Sequence, residues 1–317
     1  MILRFLPDLS KLDISANGAE LASIMGVDQD EQGKRVYTWP ESRQVFVHTF
    51  QNPVLVTDNH KISQLEPAIR DTVFALYNSF TPKITEYDGV RLKFEQRKYP
   101  GVWGPSIDTL LFCKALSQLD LSKVKTAVDI GCGSGMISKY VLEKAAPNLE
   151  SITLVDINPV AGECIKENIK DARAEFKAID GIKFLSQDKQ YDLVLCNPPY
   201  IRRPRSIEDN SYEGIGLLVH LIKETPRIVT PQGSLVTNIS SLSGSIAQEA
   251  IAQAAVIDKV IESMQVPLKV YNVLNNKEWM DYLLAHGLEK NRRNGYDYWQ
   301  QINIHQIQPT PAKRGTE

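Results

Sequence analysis

The segment at residues 128–135, VDIGCGSG, constrains the fold of this chain more than any other. A short apolar run ends in three glycines at alternate positions, Gly131, Gly133 and Gly135, and a segment with helical spacing follows. Glycines let a chain turn sharply and let its backbone approach a bound molecule closely. A strand that runs through such a turn into a helix predicts the first unit of an α/β fold with a ligand at the turn.

After this segment, apolar strands alternate with amphipathic helices. Strands are predicted, with helices between them, at TAVDIG, SITLVDI, EFKAID, YDLVLCN and GSLVTNIS. The C-terminal part is predicted as a long helix, a strand, a helix and a strand, at SIAQEAIAQAAVIDKVIESM, PLKVYNVL, KEWMDYLLAHG and DYWQQINIHQI. This alternation predicts an α/β fold with a sheet covered by helices on both faces and a ligand at the carboxyl ends of its strands.

The chain divides into two predicted domains and a tail. Residues 1–89 are expected to form a smaller α+β accessory domain that covers the pocket or selects the substrate. Within it, residues 36–50 favour a strand pair and residues 64–80 favour an amphipathic helix. Residues 90–308 are expected to form the main α/β domain, and residues 309–317 a frayed tail.

Composition bears on the location and the partners of the chain. No apolar run reaches the roughly 18 residues of a membrane span, and the N-terminus lacks signal-peptide features, so we expect a cytoplasmic protein with no membrane partner. The net charge of -2 argues mildly against a long nucleic-acid footprint. The four cysteines and five histidines are scattered, so we expect no metal site.

Acidic residues flank the glycines at the spacing that a strand, helix and strand require. Asp129 precedes them in the pattern D-x-G-x-G-x-G, and Asp156 ends the second predicted strand, 21 residues after Gly135. A carboxylate at the end of a second strand can accept hydrogen bonds from two ribose hydroxyls. The alternative is that Asp156 only caps the helix that starts near Pro159.

The segment CNPPYI at residues 196–201 follows the fourth predicted strand and carries the most specific signal. Asn197 offers an amide oxygen, and the carbonyl of Pro198 has no N–H of its own residue to compete with it. Pro199 stiffens the turn, and Tyr200 supplies a flat face for stacking. Together these groups can hold a planar NH2 group by two acceptors, although a simple tight turn is the alternative interpretation.

These motifs resemble those of the class I S-adenosylmethionine-dependent methyltransferases. The segment 196–201 is similar to the [DNS]-P-P-[YFW] motif of N-methyltransferases, above all the release-factor glutamine and ribosomal-RNA base enzymes. The resemblance implies a Rossmann-like, seven-stranded sheet, S-adenosyl-L-methionine as cofactor, and methyl transfer to a planar amide or amine nitrogen. The favoured acceptor is a protein glutamine or asparagine, or a small-molecule amine.

Other functions stay open. One alternative is methylation of an RNA or DNA base, at adenine N6 or guanine N2. Another, of a different class, is a non-catalytic partner subunit that binds the cofactor. A nicotinamide oxidoreductase would also use a glycine-rich loop, but the spacing of Asp129 and the NPPY segment favours S-adenosylmethionine.

The resemblance also implies roles for individual residues. Methyl transfer is expected to depend on Asn197, Pro198, Pro199 and Tyr200. Cofactor binding is expected at Asp129, Gly131, Cys132, Gly133, Gly135, Asp156, Ile157, Asp180 and Asn197. Asp180, which ends the third strand, would contact the adenine amino group, with a helix cap as the alternative. The segment GVWGPSIDTLLF resembles one that leads into a helix beside the cofactor, which adds Pro105, Asp108 and Thr109 to this set.

Basic and aromatic side chains near these motifs are candidates for substrate binding. Arg202, Arg203 and Arg205 follow the NPPY segment, and arginine forks suit phosphate or carboxylate groups. The alternative is a solvated loop. Trp103 could line the pocket, although an aromatic residue at such a position is more often part of the core.

Overall fold

A computed structural model describes eleven stretches of the chain. These are residues 4–8, 45–48, 53–56, 83–96, 98–99, 101–202, 204, 214–268, 271–274, 276–293 and 296–311. The predicted helix at residues 64–80 lies outside them, as do Arg203, Arg205 and most of the predicted accessory domain.

The elements of the described residues follow the alternation read from the sequence. The strands are β1 (Arg4–Asp8), β2 (Val45–His48), β3 (Pro53–Val56), β4 (Lys83–Tyr87), β5 (Val90–Phe94), β6 (Thr126–Ile130), β7 (Ser151–Asp156), β8 (Ala174–Ala178), β9 (Tyr191–Cys196), β10 (Val229–Ser240), β11 (Val256–Pro267), β12 (Glu289–Arg293) and β13 (Tyr296–Pro309). The helices are α1 (Ile107–Leu116), α2 (Met136–Tyr140), α3 (Val160–Asn168), α4 (Gly181–Leu185), α5 (Gly216–Ile228), α6 (Ser245–Gln253), α7 (Tyr271–Leu274) and α8 (Lys277–Leu284). A π-helical turn, Val141–Ala145, extends α2.

The main sheet has the order β11-β13-β10-β9-β6-β7-β8, and β12 adds an eighth strand beside β13. Strands β6 to β10 are parallel, whereas β13 runs antiparallel between β10 and β11. The predicted fold class, a seven-stranded Rossmann-like sheet with helices, is confirmed. The order reverses at β6, whose neighbours are β7 on one side and β9 on the other, so the carboxyl ends of these strands form the expected crevice.

Alternate residues along the central parallel strands enter two separate cores, one on each face of the sheet. In β9, Leu193 and Leu195 belong to one cluster of buried side chains, while Val194 belongs to the other. Both faces are therefore closed to water by helices, as near-continuous apolar strands require. A third cluster, which includes Ile201 and Trp279, lies where α8 covers the turn after β9.

Two predictions for the C-terminal part were wrong. The predicted long helix ends at Gln253, and the following residues form β11, whose Val256 lies opposite Pro309 and whose Pro267 lies opposite Trp299. Several β-branched side chains favour a strand there, and pairing with β13 outweighs the helical spacing of the apolar residues. The predicted strand PLKVYNVL contains the short helix α7 instead.

A hairpin formed by β4 and β5 connects the N-terminal part of the chain to the helices that cover the main sheet. Its turn has Asp88 at φ 50° and Gly89 at φ 77°, the left-handed pair that two-residue hairpins favour. The backbone N–H of Lys93 donates to Oδ1 of Asn168 in α3 over 2.9 Å. The predicted boundary between residues 89 and 90 falls at the end of this turn, and the division into domains stays a prediction.

Candidate active site

The glycine loop after β6 has the backbone that the sequence requires. Gly131, Gly133 and Gly135 have φ values of 71°, 51° and 80°. These values lie in the left-handed region, which residues with a side chain rarely adopt. A Cβ atom on Gly133 would lie 2.9 Å from the Trp103 carbonyl oxygen, whereas one on Gly131 would meet no atom within 4 Å. The loop is therefore packed closely at Gly133 and open at Gly131, where a ligand can approach the backbone.

Asp156 ends β7 beside this loop and supports it directly. Its Oδ2 accepts the Gly133 N–H at 2.8 Å, and its Oδ1 accepts the Asn158 N–H at 2.9 Å. Burial raises the pKa of the Asp156 carboxyl, while these two N–H groups act in the opposite direction. A carboxylate has about four acceptor positions, so two remain for hydroxyl groups of a ligand.

Asp129 lies beneath the glycine loop and is almost completely buried. Its Oδ2 accepts a hydrogen bond from the Ser138 hydroxyl of α2 at 2.6 Å. Burial raises the pKa of the Asp129 carboxyl from 3.8 to about 7, against the lowering effect of Ser138. This carboxyl thus joins β6 to α2 under the loop, and its predicted contact with a cofactor stays a prediction.

The raised pKa of Asp129 predicts a pH-dependent stability. A carboxyl whose folded pKa exceeds its unfolded value contributes stability below pH 3.8, and this contribution is lost as the pH rises through about 7. The free energy of unfolding of the native chain relative to Asp129→Asn should therefore fall between about pH 4 and pH 7, by at most about 1.4 kcal/mol per pH unit. Denaturant titrations of both proteins over this pH range measure the two free energies of unfolding. A difference between them that does not change with pH would contradict the raised pKa of Asp129.

The remaining predicted cofactor residues lie along the same edge of the sheet. Asp180 caps α4, since its Oδ1 accepts the Lys183 N–H at 2.9 Å. The alternative that the sequence left open, a helix cap, is therefore present, and an adenine contact stays a prediction. Cys132 is buried and donates its backbone N–H to Val155, while Ile157 is half-buried.

Asn197 follows β9 with both ends of its side-chain amide engaged. Its Nδ2 donates to Oδ2 of Asp108 in α1 at 3.0 Å, and its Oδ1 accepts from Nδ2 of Asn238 at 3.1 Å. Asn238 is next to Asn197 because β10 pairs in parallel with β9, with Thr237 opposite Cys196. The structure thus brings the predicted catalytic turn, residues 197–200, together with Asp108, to which the family resemblance gave a role beside the cofactor.

Tyr200 also turns toward Asp108. Burial is the main cause that raises the pKa of the Tyr200 phenol well above its usual value, and the nearby Asp108 charge adds to it, whereas the Gln300 side chain of β13 acts in the opposite direction. Gln300 accepts a hydrogen bond from Ser240 at 2.6 Å. Pro198 and Pro199 lie between Asn197 and Tyr200, whose side chains both lie near Asp108.

The start of α1 brings its other predicted residues to the same place. The Ser106 backbone N–H donates to Oγ1 of Thr109 at 3.2 Å, which is a capping bond, and Pro105 is half-buried just before it. The Ser106 hydroxyl also hydrogen-bonds Asp108. The roles of Pro105 and Thr109 toward a cofactor stay predictions.

Sequence reasoning missed three polar residues of this site, Asn238, Ser240 and Gln300. No local motif marks them, but Asn238 and Ser240 interrupt an apolar strand near its carboxyl end. In a parallel sheet the end of β10 must lie beside the end of β9. A search for polar residues at adjacent strand ends could therefore have found Asn238.

The candidate substrate residues differ in their surroundings. The Arg202 guanidinium lies over the Tyr282 ring at 5.4 Å, and the Arg202 carbonyl accepts the Trp279 indole N–H at 2.7 Å. Arg202 therefore links the end of the predicted catalytic turn to α8. The Trp103 side chain is 44% exposed beside the glycine loop. Binding of a substrate by either residue stays a prediction.

The described part of the chain contains neither a group of metal ligands nor a candidate membrane span. There, no three His, Cys, Asp or Glu side chains are grouped as metal ligands. Nor does any helix in the described ranges combine the length and apolar character needed to cross a bilayer.

Comparison with known proteins adds a family and several relatives. The sequence profile of the methyltransferase small domain matches residues 105–266, just over half of the 317 residues. A Methanocaldococcus jannaschii protein named "putative protein N5-glutamine methyltransferase" is 29% identical over 204 residues, 61% of this chain and 98% of that protein.

Two bacterial relatives match shorter stretches. A release factor glutamine methyltransferase of Koribacter versatilis is 32% identical over 105 residues, 32% of this chain and 37% of that protein. A tRNA1(Val) (adenine(37)-N6)-methyltransferase of Haemophilus influenzae is 29% identical over 89 residues, 26% of this chain and 38% of that protein. The chain thus spans nearly all of the archaeal relative but less than two fifths of each bacterial one.

Proposed function

Because this chain belongs to the methyltransferase small domain family, we propose that it methylates the side-chain amide nitrogen of a protein glutamine. The chain is an S-adenosylmethionine-dependent methyltransferase, and the proposal concerns the group that receives the methyl. The observation that carries the proposal is the amide of Asn197, held at both ends beside the glycine loop. Its oxygen and the Pro198 carbonyl are acceptors suited to an NH2 group.

The residues at the strand ends fit S-adenosylmethionine. Gly131 leaves open space where a side chain would project, and Asp156 has acceptor positions left after its two backbone bonds. These residues would hold the methionine and ribose parts of the molecule. When bound there, S-adenosylmethionine supplies the electrophilic methyl group.

The residues of the catalytic turn would then act on the acceptor nitrogen. Oδ1 of Asn197 and the Pro198 carbonyl each accept one N–H, which orients the nitrogen. An amide nitrogen is a poor nucleophile, so most of the rate must come from this orientation. As the nitrogen takes the methyl group, the S–CH3 bond of the cofactor would break with its electron pair remaining on sulfur, and positive charge would grow on the nitrogen. Both acceptors would stabilise that charge. The methylated nitrogen would then lose one N–H proton to water, which restores a neutral amide.

Two observations favour a protein acceptor over a nucleic acid. The archaeal relative named for N5-glutamine methylation is matched over 98% of its length, whereas the tRNA enzyme is matched over 38%. The net charge of -2 gives little attraction for a long phosphate backbone. Asparagine and small-molecule amines present the same kind of nitrogen and are further acceptors of this class.

The second candidate function is methylation of adenine N6 in RNA. It is favoured by the match to the tRNA adenine methyltransferase and by the planar NH2 group that adenine shares with glutamine. Tyr200 is half-buried in the same turn as Asn197, where an aromatic ring could contact a base.

A labelling experiment distinguishes the two. The protein is incubated with methyl-tritiated S-adenosylmethionine and, in separate reactions, with a purified bacterial release factor and with total tRNA. We expect label in the release factor, recovered as methylamine after strong acid hydrolysis of N5-methylglutamine. Label in tRNA alone, recovered as N6-methyladenosine after nuclease digestion, would replace the glutamine proposal with the second candidate.

A further inference from the structure

We infer that Asp108 is a positioning residue that fixes the orientation of the Asn197 amide, with Asn238 as its partner at the opposite end. The inference rests on the proposed role of Asn197 as an acceptor for the target nitrogen. It gives Asp108 a different task from the cofactor contact that the family resemblance implied. The argument depends on which atoms of this group can donate and which can only accept.

The carboxylate of Asp108 decides which end of the Asn197 amide is the nitrogen. An ionised carboxylate can only accept, so the atom 3.0 Å from Oδ2 of Asp108 must be the NH2 group. The amide oxygen then points the other way, where it lies 3.1 Å from the NH2 group of Asn238. An amide in isolation could rotate by half a turn, and Asp108 removes that freedom.

Asn238 costs stability at its position, which indicates a role beyond packing. Its side chain is fully buried, and its own carbonyl oxygen accepts no hydrogen bond from any described residue. Burying an unsatisfied polar atom is unfavourable, whereas an apolar side chain of similar size would avoid this cost. The hydrogen bond from its NH2 group to Asn197 is what a leucine there could not supply.

Asp108 itself is held in place from two directions. The Ser106 hydroxyl at the start of α1 hydrogen-bonds its carboxylate, and the Asn197 NH2 group does so from the catalytic turn. The Asp108 charge also lies near enough to Tyr200, at the other end of the turn, to raise the pKa of its phenol. A shift of the turn against α1 would break the bond between Asp108 and Asn197.

This arrangement determines which substrate groups can bind to the Asn197 side chain. After the bond from Asn238, Oδ1 of Asn197 has one acceptor position left, and it presents an oxygen to the substrate. If the amide were reversed, its NH2 group would face the NH2 group of the substrate, and two donors cannot bond each other. The orientation set by Asp108 therefore favours substrates whose target nitrogen carries an N–H. Loss of this orientation should lower kcat.

An exchange of the two side chains tests the inference. We compare the native chain with Asp108→Asn, Asn197→Asp and the double variant, using the release factor or tRNA that becomes labelled in the experiment above. Each single variant should lose about tenfold or more in kcat, because an asparagine at 108 no longer dictates the amide's orientation and two carboxylates oppose each other in Asn197→Asp. The double variant restores a donor facing a carboxylate, so its kcat should exceed that of Asn197→Asp by about tenfold.

Two results would overturn the inference: a native kcat for Asp108→Asn, or a double variant no better than Asn197→Asp alone. If Asp108→Asn keeps kcat but binds S-adenosylmethionine more weakly in calorimetry, Asp108 belongs to the cofactor pocket. If even Asn197→Ala keeps its activity, the proposed role of the catalytic turn fails, and this outcome is separate from a failure of Asp108 alone.

Two further measurements guard against a variant that does not fold. Asp108→Glu can only accept, so it should keep more of kcat than Asp108→Asn although asparagine is closer in shape; the reverse order would contradict the inference. In nitrogen-15 spectra of the native chain, the Asn197 NH2 signals are identified by their absence in Asn197→Asp. These protons should exchange slowly with solvent, and exchange at the rate of an exposed side-chain amide would exclude the bond to Asp108 without any activity assay.

Discussion

Replacing Asn197 with alanine is expected to lower kcat by about 10² to 10³, the usual loss for one preorganised group of an active site. The affinity for S-adenosylmethionine should stay near that of the native chain, because the glycine loop and Asp156 are unaltered. The acceptor oxygen of Asn197 interacts most strongly when positive charge has grown on the target nitrogen. Its removal therefore raises the barrier more than it weakens substrate binding.

Single-turnover methyl transfer, measured beside a calorimetric titration of the cofactor, checks this expectation. Asn148→Ala is the matched control, since Asn148 is exposed just before β7, at the opposite edge of the sheet, and loses only a bond to the Ser122 carbonyl. The control should keep native kcat. Native turnover by Asn197→Ala would mean that the NPPY segment is a structural turn, and the proposal of N-methylation would fall with it.

Replacing Asp156 with alanine is expected to weaken S-adenosylmethionine binding by about 1–3 kcal/mol, or about 5- to 150-fold. Two effects contribute to this loss. The variant lacks an acceptor for the ribose hydroxyls, and it also releases the Gly133 N–H that Oδ2 of Asp156 holds at 2.8 Å. The glycine loop should therefore be less ordered before the cofactor arrives, which adds to the cost of binding.

Asp192 provides a control, because it is also a carboxylate that accepts two backbone N–H groups but lies at the opposite ends of the strands from the proposed site. Its Oδ2 accepts the backbone N–H groups of Lys125 and Thr126, each at 3.0 Å, at the start of β9. Asp192→Ala should lower the unfolding temperature without changing cofactor affinity. Calorimetry that finds the same cofactor affinity in Asp156→Ala and in the native chain would contradict the assignment of Asp156.

Three strands of the parallel half could be predicted most directly from the sequence, because each of them is apolar and ends at a motif. β6 ends at the glycines, β7 at Asp156 and β9 at Asn197, so motif and strand predict each other. The antiparallel part of the sheet was harder to predict from the sequence. Residues of β11 have apolar side chains at helical spacing, and only their pairing with β13, distant along the chain, makes them a strand.

The candidate site shows the same division. Asn197 and Asp156 were found because local spacing marks them, and the structure has both at the carboxyl ends of the strands. Their partners Asn238 and Gln300 lie about 40 and 100 residues beyond Asn197, in strands that only the sheet order brings near. Asp108 was found by resemblance, but its bond to Asn197 depends on how α1 packs, which no spacing expresses.

The insertion of β13 between β10 and β11 has a consequence for the growing chain on the ribosome. β13 begins at Tyr296, more than fifty residues after β10 ends at Ser240, so nascent β10 has an unpaired edge until β13 has been synthesised. Such an edge can pair with other chains, and a chaperone that shields it would act in this interval. Gln300 arrives with β13 and accepts a hydrogen bond from Ser240, so synthesis of this late strand also completes the polar contacts beside the predicted catalytic turn.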